Sequence, residues 1–312
     1  MINKKINTPL YHLLLLLFLS STLSACTINI KDEYSKELKL LHEKTFPISP
    51  GKKFVVDCPA ADIMLKTWDK SEVYVKIFGN EKAEDKIKFE FRSDNEMVEV
   101  SGKKEGSIFN FWGSGIQIKI EVIVPSNFHN KLSTSGGDIR IKDVSGSQLL
   151  NTSGGDIWIM NTSGKIKAIT SGGDINIDTH KGESDVSTSG GDIKAINFEG
   201  QFKAETSGGD INLKGENSKI MAETSGGNIF LDYEGENQGI SLSTSGGDIQ
   251  VLIPADFNAA ARLYTSGGDI DCNLTANNIK KISSTKFEAD LNKGGNLLEA
   301  ETSGGDVVVK KK

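Results

Sequence analysis

The chain has 312 residues, a formal net charge of −6 and 37% hydrophobic residues, of which few are aromatic. That length accommodates one large domain or two small ones. The scattered lysines of an acidic chain exclude a nucleic-acid surface read from charge, and three cysteines without CxxC or Cys/His spacing exclude a zinc motif.

The first element is an export signal. Lys4 and Lys5 form a basic n-region, and Leu13 to Leu19 reads "LLLLLFL". This run is shorter than the roughly 20 residues a membrane helix needs. It ends in Leu23-Ser24-Ala25-Cys26, which resembles the bacterial lipobox. The resemblance implies cleavage after residue 25, lipid on the Cys26 thiol, and a membrane partner through that lipid. Each buried methylene of an acyl chain contributes about 0.8 kcal/mol to anchoring. Loss of Lys4 and Lys5 takes the charge from −6 to −8. The expected place is the cell envelope. Thr27 is not the Asp of an inner-membrane retention signal, which favours the outer membrane in a Gram-negative host.

Residues 26–45 read as a lipidated tether. Within them "KDEYSKELKLLHEK" has the pattern of a short helix with Leu38 and Leu41 on one side. From 46 to 125 the pattern becomes all-β. "KFVVD" from Lys53, "DIMLKTW" from Asp62, "EVYVKIF" from Glu72, "KIKFEF" from Lys86, "MVEV" from Met97 and "IQIKIEVIV" from Ile116 place apolar residues at alternate positions. This region is expected to cap the residues after it, because a repeat array needs an end that covers its open sheet edge. Its loop "GSIFNFWGSG" carries Phe109, Phe111 and Trp112, candidate surface contacts or core residues under the cap.

The remainder, 126–312, is a repeat region. The word TSGGD, or TSGGN at one site, starts at Thr134, Thr152, Thr170, Thr188, Thr206, Thr224, Thr244, Thr265 and Thr302. The first five steps are 18 residues, and the last gap is 37. "VIVPSNF" from Val122 is echoed by "VLIPADF" from Val251.

With the word's Thr as position 1, positions 6 and 8 are apolar, as in Ile157/Ile159 and Ile175/Ile177. Position 7 varies freely. A second apolar pair precedes each word, as in Ile166/Ala168, and Gly146, Gly164, Gly182 and Gly200 mark a second turn. The unit therefore holds two short strands and two turns. Units of equal length with the same inward positions stack as coils about 4.8 Å apart. The fold class expected is an all-β, parallel β-helix-like solenoid with 18-residue coils. An antiparallel meander would place residues 18 apart two strands away, where near-identity would serve nothing. In the word, Gly-Gly is expected to supply positive φ, Asp an Asx-type tie, and the hydroxyls bonds to free backbone groups.

Stacking lines up Asp138, Asp156, Asp174, Asp192 and Asp210. Such a column repels itself, and Ca²⁺ is the one cofactor that carboxylate oxygens in this arrangement would admit. The words lack the GGxGxDxUx pattern of calcium-binding nonapeptide repeats. Copies of one acid in a line do not supply the unlike groups that hydrolysis of a glycan needs. No P-loop or nucleophile elbow is present, so the chain reads as a non-enzyme. Trp158 and Phe230 at the outward position 7 are candidate contact anchors.

The VxVP strand, the SGGDI words, the variable position 7 and the mid-repeat Gly resemble the bacterial putative-adhesin β-strand-repeat family, a domain of unknown function, over residues 46–310. The resemblance implies a β-helix-like body, export or membrane association, and a part in adhesion or envelope-stress response. It supplies no catalytic residues. The expected function is a non-catalytic, lipid-anchored envelope module that is adhesin-like or a scaffold, with an envelope protein or a surface glycan as partner. A signalling component that binds another envelope protein and a carbohydrate-active β-helix enzyme are the competing readings.

Overall fold

The structure is a computed structural model and describes residues 38–104 and 115–312. Cys26, the export signal, most of the tether and the Phe109, Phe111 and Trp112 loop lie outside the described residues.

The repeats stack as parallel coils. Ile157, Ile175, Ile193, Ile211, Ile229 and Ile249 pair in register, so equivalent residues of successive words are direct neighbours. No meander forms among these units. One parallel ladder, the downstream ladder, holds the strands that follow each word. The upstream ladder holds the strands that precede it, with Ile166, Ser184, Phe202, Ile220 and Ile240 in register. The inward columns of both ladders are buried: Ile157, Ile166, Ala168, Ile175 and Ile193 are fully so. Each fully buried aliphatic side chain contributes roughly 1.5–3 kcal/mol, and only the stack as a whole can bury them.

The two corners of the unit differ. At the second corner pairing does not stop, and strands such as Ile157–Ile169 and Ile175–Ser187 run through it. The bend is made by a left-handed residue at position 10 (Asp143, Asn161, Thr179, Asn197), followed three residues later by the positive-φ Gly. At the TSGG corner the expected positive φ is absent: none of the word's glycines adopts it. The second glycine is needed for close approach instead. A Cβ on Gly173 would stand 2.0 Å from the carbonyl oxygen of Gly155, and the same clash recurs at Gly191, Gly209, Gly227 and Gly247. The first glycine has room, since a Cβ on Gly172 meets nothing closer than 3.7 Å.

The region before the first word is itself part of the stack. Strands Lys53–Asp57 and Ala61–Trp68 pair in parallel with His129–Ser133 and Ile139–Lys142, the strands around the first word. On their other side lie Met97–Lys104 and Ile118–Pro125. The coil that comes earlier in sequence therefore sits inside the one that follows it. The C-terminal end shows the same exchange. Strands Leu297–Thr302 and Val307–Lys311 pair on one side with Ile240–Thr244 and Ile249–Ile253, and on the other with Ala259–Thr265 and Ile270–Cys272. The last coil of the chain is the penultimate coil of the stack, which accounts for the 37-residue gap between the last two words. The echoed segments after Val122 and Val251 are the two places where the chain skips a coil, and both end in a buried aromatic, Phe128 and Phe257.

Antiparallel strands close the ends: Glu72–Gly79 and Lys39–Pro47 at one, Lys286–Leu291 and Ala276–Ile282 at the other. Lys39–Pro47 falls largely where the sequence suggests a tether or helix. It forms a strand because pairing with Glu72–Gly79 overrides local helix pattern, and the Leu41 side chain fills the space over Gly79. The outermost strand Ala276–Ile282 carries Lys280 and Lys281 on an exposed edge, a placement that discourages pairing with other chains.

The close corner predicts a contrast between adjacent glycines. Gly173→Ala is expected to lower stability by about 3 kcal/mol, whereas Gly172→Ala stays within about 1 kcal/mol of the parent. Urea unfolding of the two variants measures it, and equal midpoints would contradict the stacking role of the second glycine.

Candidate functional site

The word's polar side chains are used between coils. The Asp174 N–H donates to Asp156 Oδ1 at 2.8 Å, and the Asp192 N–H donates to Asp174 Oδ1 at 2.8 Å. This ladder begins at Asp62, passes Asp138, Asp156, Asp174, Asp192 and Asp210, continues through Asn228 and Asp248, and ends at Asp306 and Asp269. The Thr170 hydroxyl donates to the Gly155 carbonyl of the preceding coil at 2.9 Å and accepts the Gly173 N–H at 3.3 Å. The Asp tie is thus to the next coil rather than to its own turn. One oxygen of each carboxylate in the column except the last, Asp269, is spent on backbone, and among the described residues no three His, Cys, Asp or Glu side chains converge as a metal site. At the head of the column, burial pushes the Asp62 carboxyl above the ordinary carboxylate range.

The described histidines and cysteines stand apart. His42 lies edge-on to Phe89 and Phe91 at 5.4 Å from each ring, and burial, then Lys44, lowers its pKa. His129 Nδ1 accepts the Ser147 N–H at 3.0 Å. His180 is buried in a column with Thr162 and Phe198; its Nδ1 is 2.9 Å from Thr162 Oγ1, its Nε2 has no partner, and burial lowers its pKa. Cys58 and Cys272 are free thiols. Burial pushes Cys58 up to about 12 and raises Cys272, so neither is a thiolate at neutral pH.

The two outer faces contrast. On the upstream face ion pairs join adjacent coils, Lys165 to Glu183 at 2.8 Å and Lys167 to Asp185 at 2.9 Å, and Lys203 pairs with Glu205 at 2.7 Å, while Lys131 and Lys219 make no ion pair among the described residues. The downstream face displays position 7 as one in-register column: Arg140, Trp158, Asn176, Lys194, Asn212, Phe230 and Gln250. Trp158 and Phe230 are half-buried in this column, four coils apart. The Arg140 guanidinium lies over the Trp158 ring, 4.1 Å from its centroid, and is held by Asp138 at 2.9 Å. Beside the column stand Met160, 45% exposed, and the half-buried Ile196 and Leu252. Among the described residues, the side chains of Asn176, Lys194, Asn212 and Gln250 make no hydrogen bond or ion pair. The sequence singles out the two aromatics. It leaves Arg140 and the amides unnoticed, although all of them sit at the same variable position and are legible there.

A family model described as Toastrack DUF4097 matches residues 52–310. No curated protein matches the chain. Among solved structures, a putative adhesin from Parabacteroides distasonis is 10% identical with a TM-score of 0.48, covering 87% of this chain and 97% of its own. A putative lipid binding protein from the same species is 14% identical with a TM-score of 0.43, over 88% of this chain and 98% of its own. A putative adhesin from Bacteroides fragilis is 12% identical with a TM-score of 0.39, over 88% and 97%.

The inter-coil ladder predicts that Asp174→Asn is nearly silent, as Asn228 already serves in one coil. Asp174→Ala, which strands the Asp192 N–H, costs about 1 kcal/mol. Thermal melting reads both, and a chelator added to the parent is expected to leave the midpoint unchanged; a fall on chelation would assign the carboxylates to calcium. The buried His180 gives a pH dependence of known sign. Its folded pKa lies below the ordinary 6.5, so the unfolded chain binds the proton first, and stability falls as pH drops below 6.5 toward the folded value. His180→Val, which copies Val144 of the same column, should flatten that loss below pH 6.5.

Proposed function

The chain belongs to the Toastrack family, and on that premise we propose that it is a non-catalytic binding module, held at the cell envelope by lipid on Cys26, that engages its partner through the downstream face. One observation carries the reading. The upstream face pairs Lys165, Lys167 and Lys203 with acids of its own, while the downstream face sets aromatic rings beside side-chain amides and a lysine that make no hydrogen bond or ion pair among the described residues. Unspent groups beside half-exposed aromatics have the composition of a contact surface.

Support for a non-catalytic role comes from the word itself. Its hydroxyls and carboxylates hold adjacent coils together, and the described histidines and thiols sit in separate packing environments. A chain built of copies presents a long surface without needing a pocket. Lipid at Cys26 would place that surface outside the membrane, with the outer membrane favoured in a Gram-negative host.

The test compares retention of the purified chain on whole cells and on envelope fractions. Trp158→Ala with Phe230→Ala is expected to lower retention at least tenfold with an unchanged melting midpoint, while Lys167→Ala on the upstream face leaves it intact. Retention that ignores the double variant would remove the downstream face from the reading. A single protein recovered from the envelope in stoichiometric amount would favour the signalling role. Turnover on a polysaccharide panel, abolished by changing one acidic residue, would overturn the non-enzyme conclusion.

A further inference from the structure

We infer that the C-terminal end of the stack is a second interaction surface, separate from the downstream face, and that it docks on a lipid bilayer with anionic headgroups. Strand Ala276–Ile282 is the last strand at that end and pairs on one side only, with Lys286–Leu291. Its amides turn back into its own hairpin: Asn277 Nδ2 donates to the Asn292 carbonyl at 2.7 Å, and Asn278 Nδ2 donates to Asp290 Oδ2 at 2.8 Å. Ile279, Lys280, Lys281 and Ile282 remain on the outside. The two isoleucines are 56% and 57% exposed, more than any other large apolar residue described. Lys280 and Lys281 make no hydrogen bond or ion pair among the described residues. Behind them Ile270, Cys272, Leu274 and Ala276 pack on the core and are themselves only partly covered.

Lysine on an outer strand guards it against pairing with other strands. That role accounts for Lys280 and Lys281 and leaves the isoleucines without a purpose. The rest of the chain does not reach them. Residues 105–114 join two strands at the opposite end, and the stack between the ends is roughly 60 Å long at about 4.8 Å per strand. A chain cut before Cys26 keeps about a dozen residues ahead of Lys39, which span at most roughly 40 Å. The occupant is therefore another molecule.

Protein interfaces are poor in lysine and take their anchors from Trp, Tyr and Arg, none of which stands on this strand. A bilayer accepts the combination present: apolar side chains enter the acyl boundary while lysine stems lie beside them with their ammonium groups among the headgroups. Charge sets the lipid class. From Asn273 to Phe287 the chain has three lysines and no acid. Of the acids nearest in the fold, Glu288 is held by Lys286 at 2.9 Å, Asp290 by Asn278, and Asp271 lies 3.8 Å from Lys310. Asp269, at the corner beside Ser284, keeps its carboxylate free, and the two free lysines outweigh it.

Cosedimentation of the mature chain, made without its export signal so that Cys26 carries no lipid, tests this. The vesicles are pure phosphatidylcholine, or three parts phosphatidylcholine to one part phosphatidylglycerol. The parent is expected to bind the anionic vesicles at least threefold more tightly. Ile279→Ser with Ile282→Ser should weaken that binding at least fivefold, and Lys280→Gln with Lys281→Gln should remove the preference for the anionic vesicles. Trp158→Ala with Phe230→Ala, on the downstream face, should change nothing. Melting midpoints matching the parent show that the variants fold. No binding to either vesicle, or indifference to the isoleucine pair, would overturn docking on lipid. Equal binding of the two vesicles by the parent would overturn the anionic class. Retention on cells that falls with the lysine pair while neither vesicle binds would assign the end to an acidic protein and overturn the bilayer as its occupant.

Discussion

One contact governs this molecule: the backbone of each TSGGD corner rests directly on the backbone of the corner before it. At Gly173 there is no room for a methyl group against the Gly155 carbonyl. That closeness brings the Asp192 N–H within reach of Asp174 and the Thr170 hydroxyl within reach of the preceding carbonyl. Each word therefore satisfies polar groups that belong to its neighbour. A lone coil would leave these groups open along with its apolar face, so stability is a property of adjacency, as in other repeat arrays. The same bonds address the repulsion of a carboxylate column. Every acid before Asp269, the last of the column, faces a backbone donor, and Asn228 keeps the geometry in one coil without a charge.

A stack of this kind is endless in principle, and its ends must be made. The chain does so by exchanging order. At the N-terminal end, strands 53–68 lie inside strands 97–104 and 118–125; at the C-terminal end, strands 297–311 lie inside the coil formed by 259–272. The outer coil at each end then continues into antiparallel strands, which a parallel coil alone could not recruit. The final residue reinforces the arrangement, since Lys312 forms ion pairs with both Asp232 and Glu234. The duplicated VIVPSNF and VLIPADF segments are the hinges of this plan, each taking the chain past one coil.

The coils between the ends were legible in the sequence because two periods coincide there. Alternation marks which residues point inward, and the 18-residue step marks which coils touch. The reason for the paired glycines was not legible, since a glycine required by a neighbouring carbonyl and one required by its own φ look the same in a string. The N-terminal coils were hidden for a related cause. The corner of the coil from Lys53 to Trp68 is Cys58-Pro59-Ala60-Ala61, with Ala60 left-handed, and it carries no word although Ala61 stacks beneath Gly137. The strand at Lys39–Pro47 was hidden because its partner, Glu72–Gly79, is distant in sequence and its own residues are charged. In the candidate site the aromatics were visible by type. The amides were legible as position-7 residues, and their alignment with the aromatics comes from register.

Register also explains where recognition can reside. Positions that build the corner and the core are fixed by contacts repeated at every coil, so they cannot encode a particular partner. Position 7 lies in register with its counterparts in the coils above and below, and it tolerates Arg140, Trp158, Asn176 and Phe230 alike. A rigid stack converts that freedom into a fixed pattern in space, because side chains at equal sequence steps stand at equal distances. The side chains there have little conformational choice, as each is flanked on both sides, and ordering them on binding costs less than ordering a loop. The proposed binding face would therefore be prepared by the same corner that makes the fold. The word aligns the column, and what varies between words is what a partner can read.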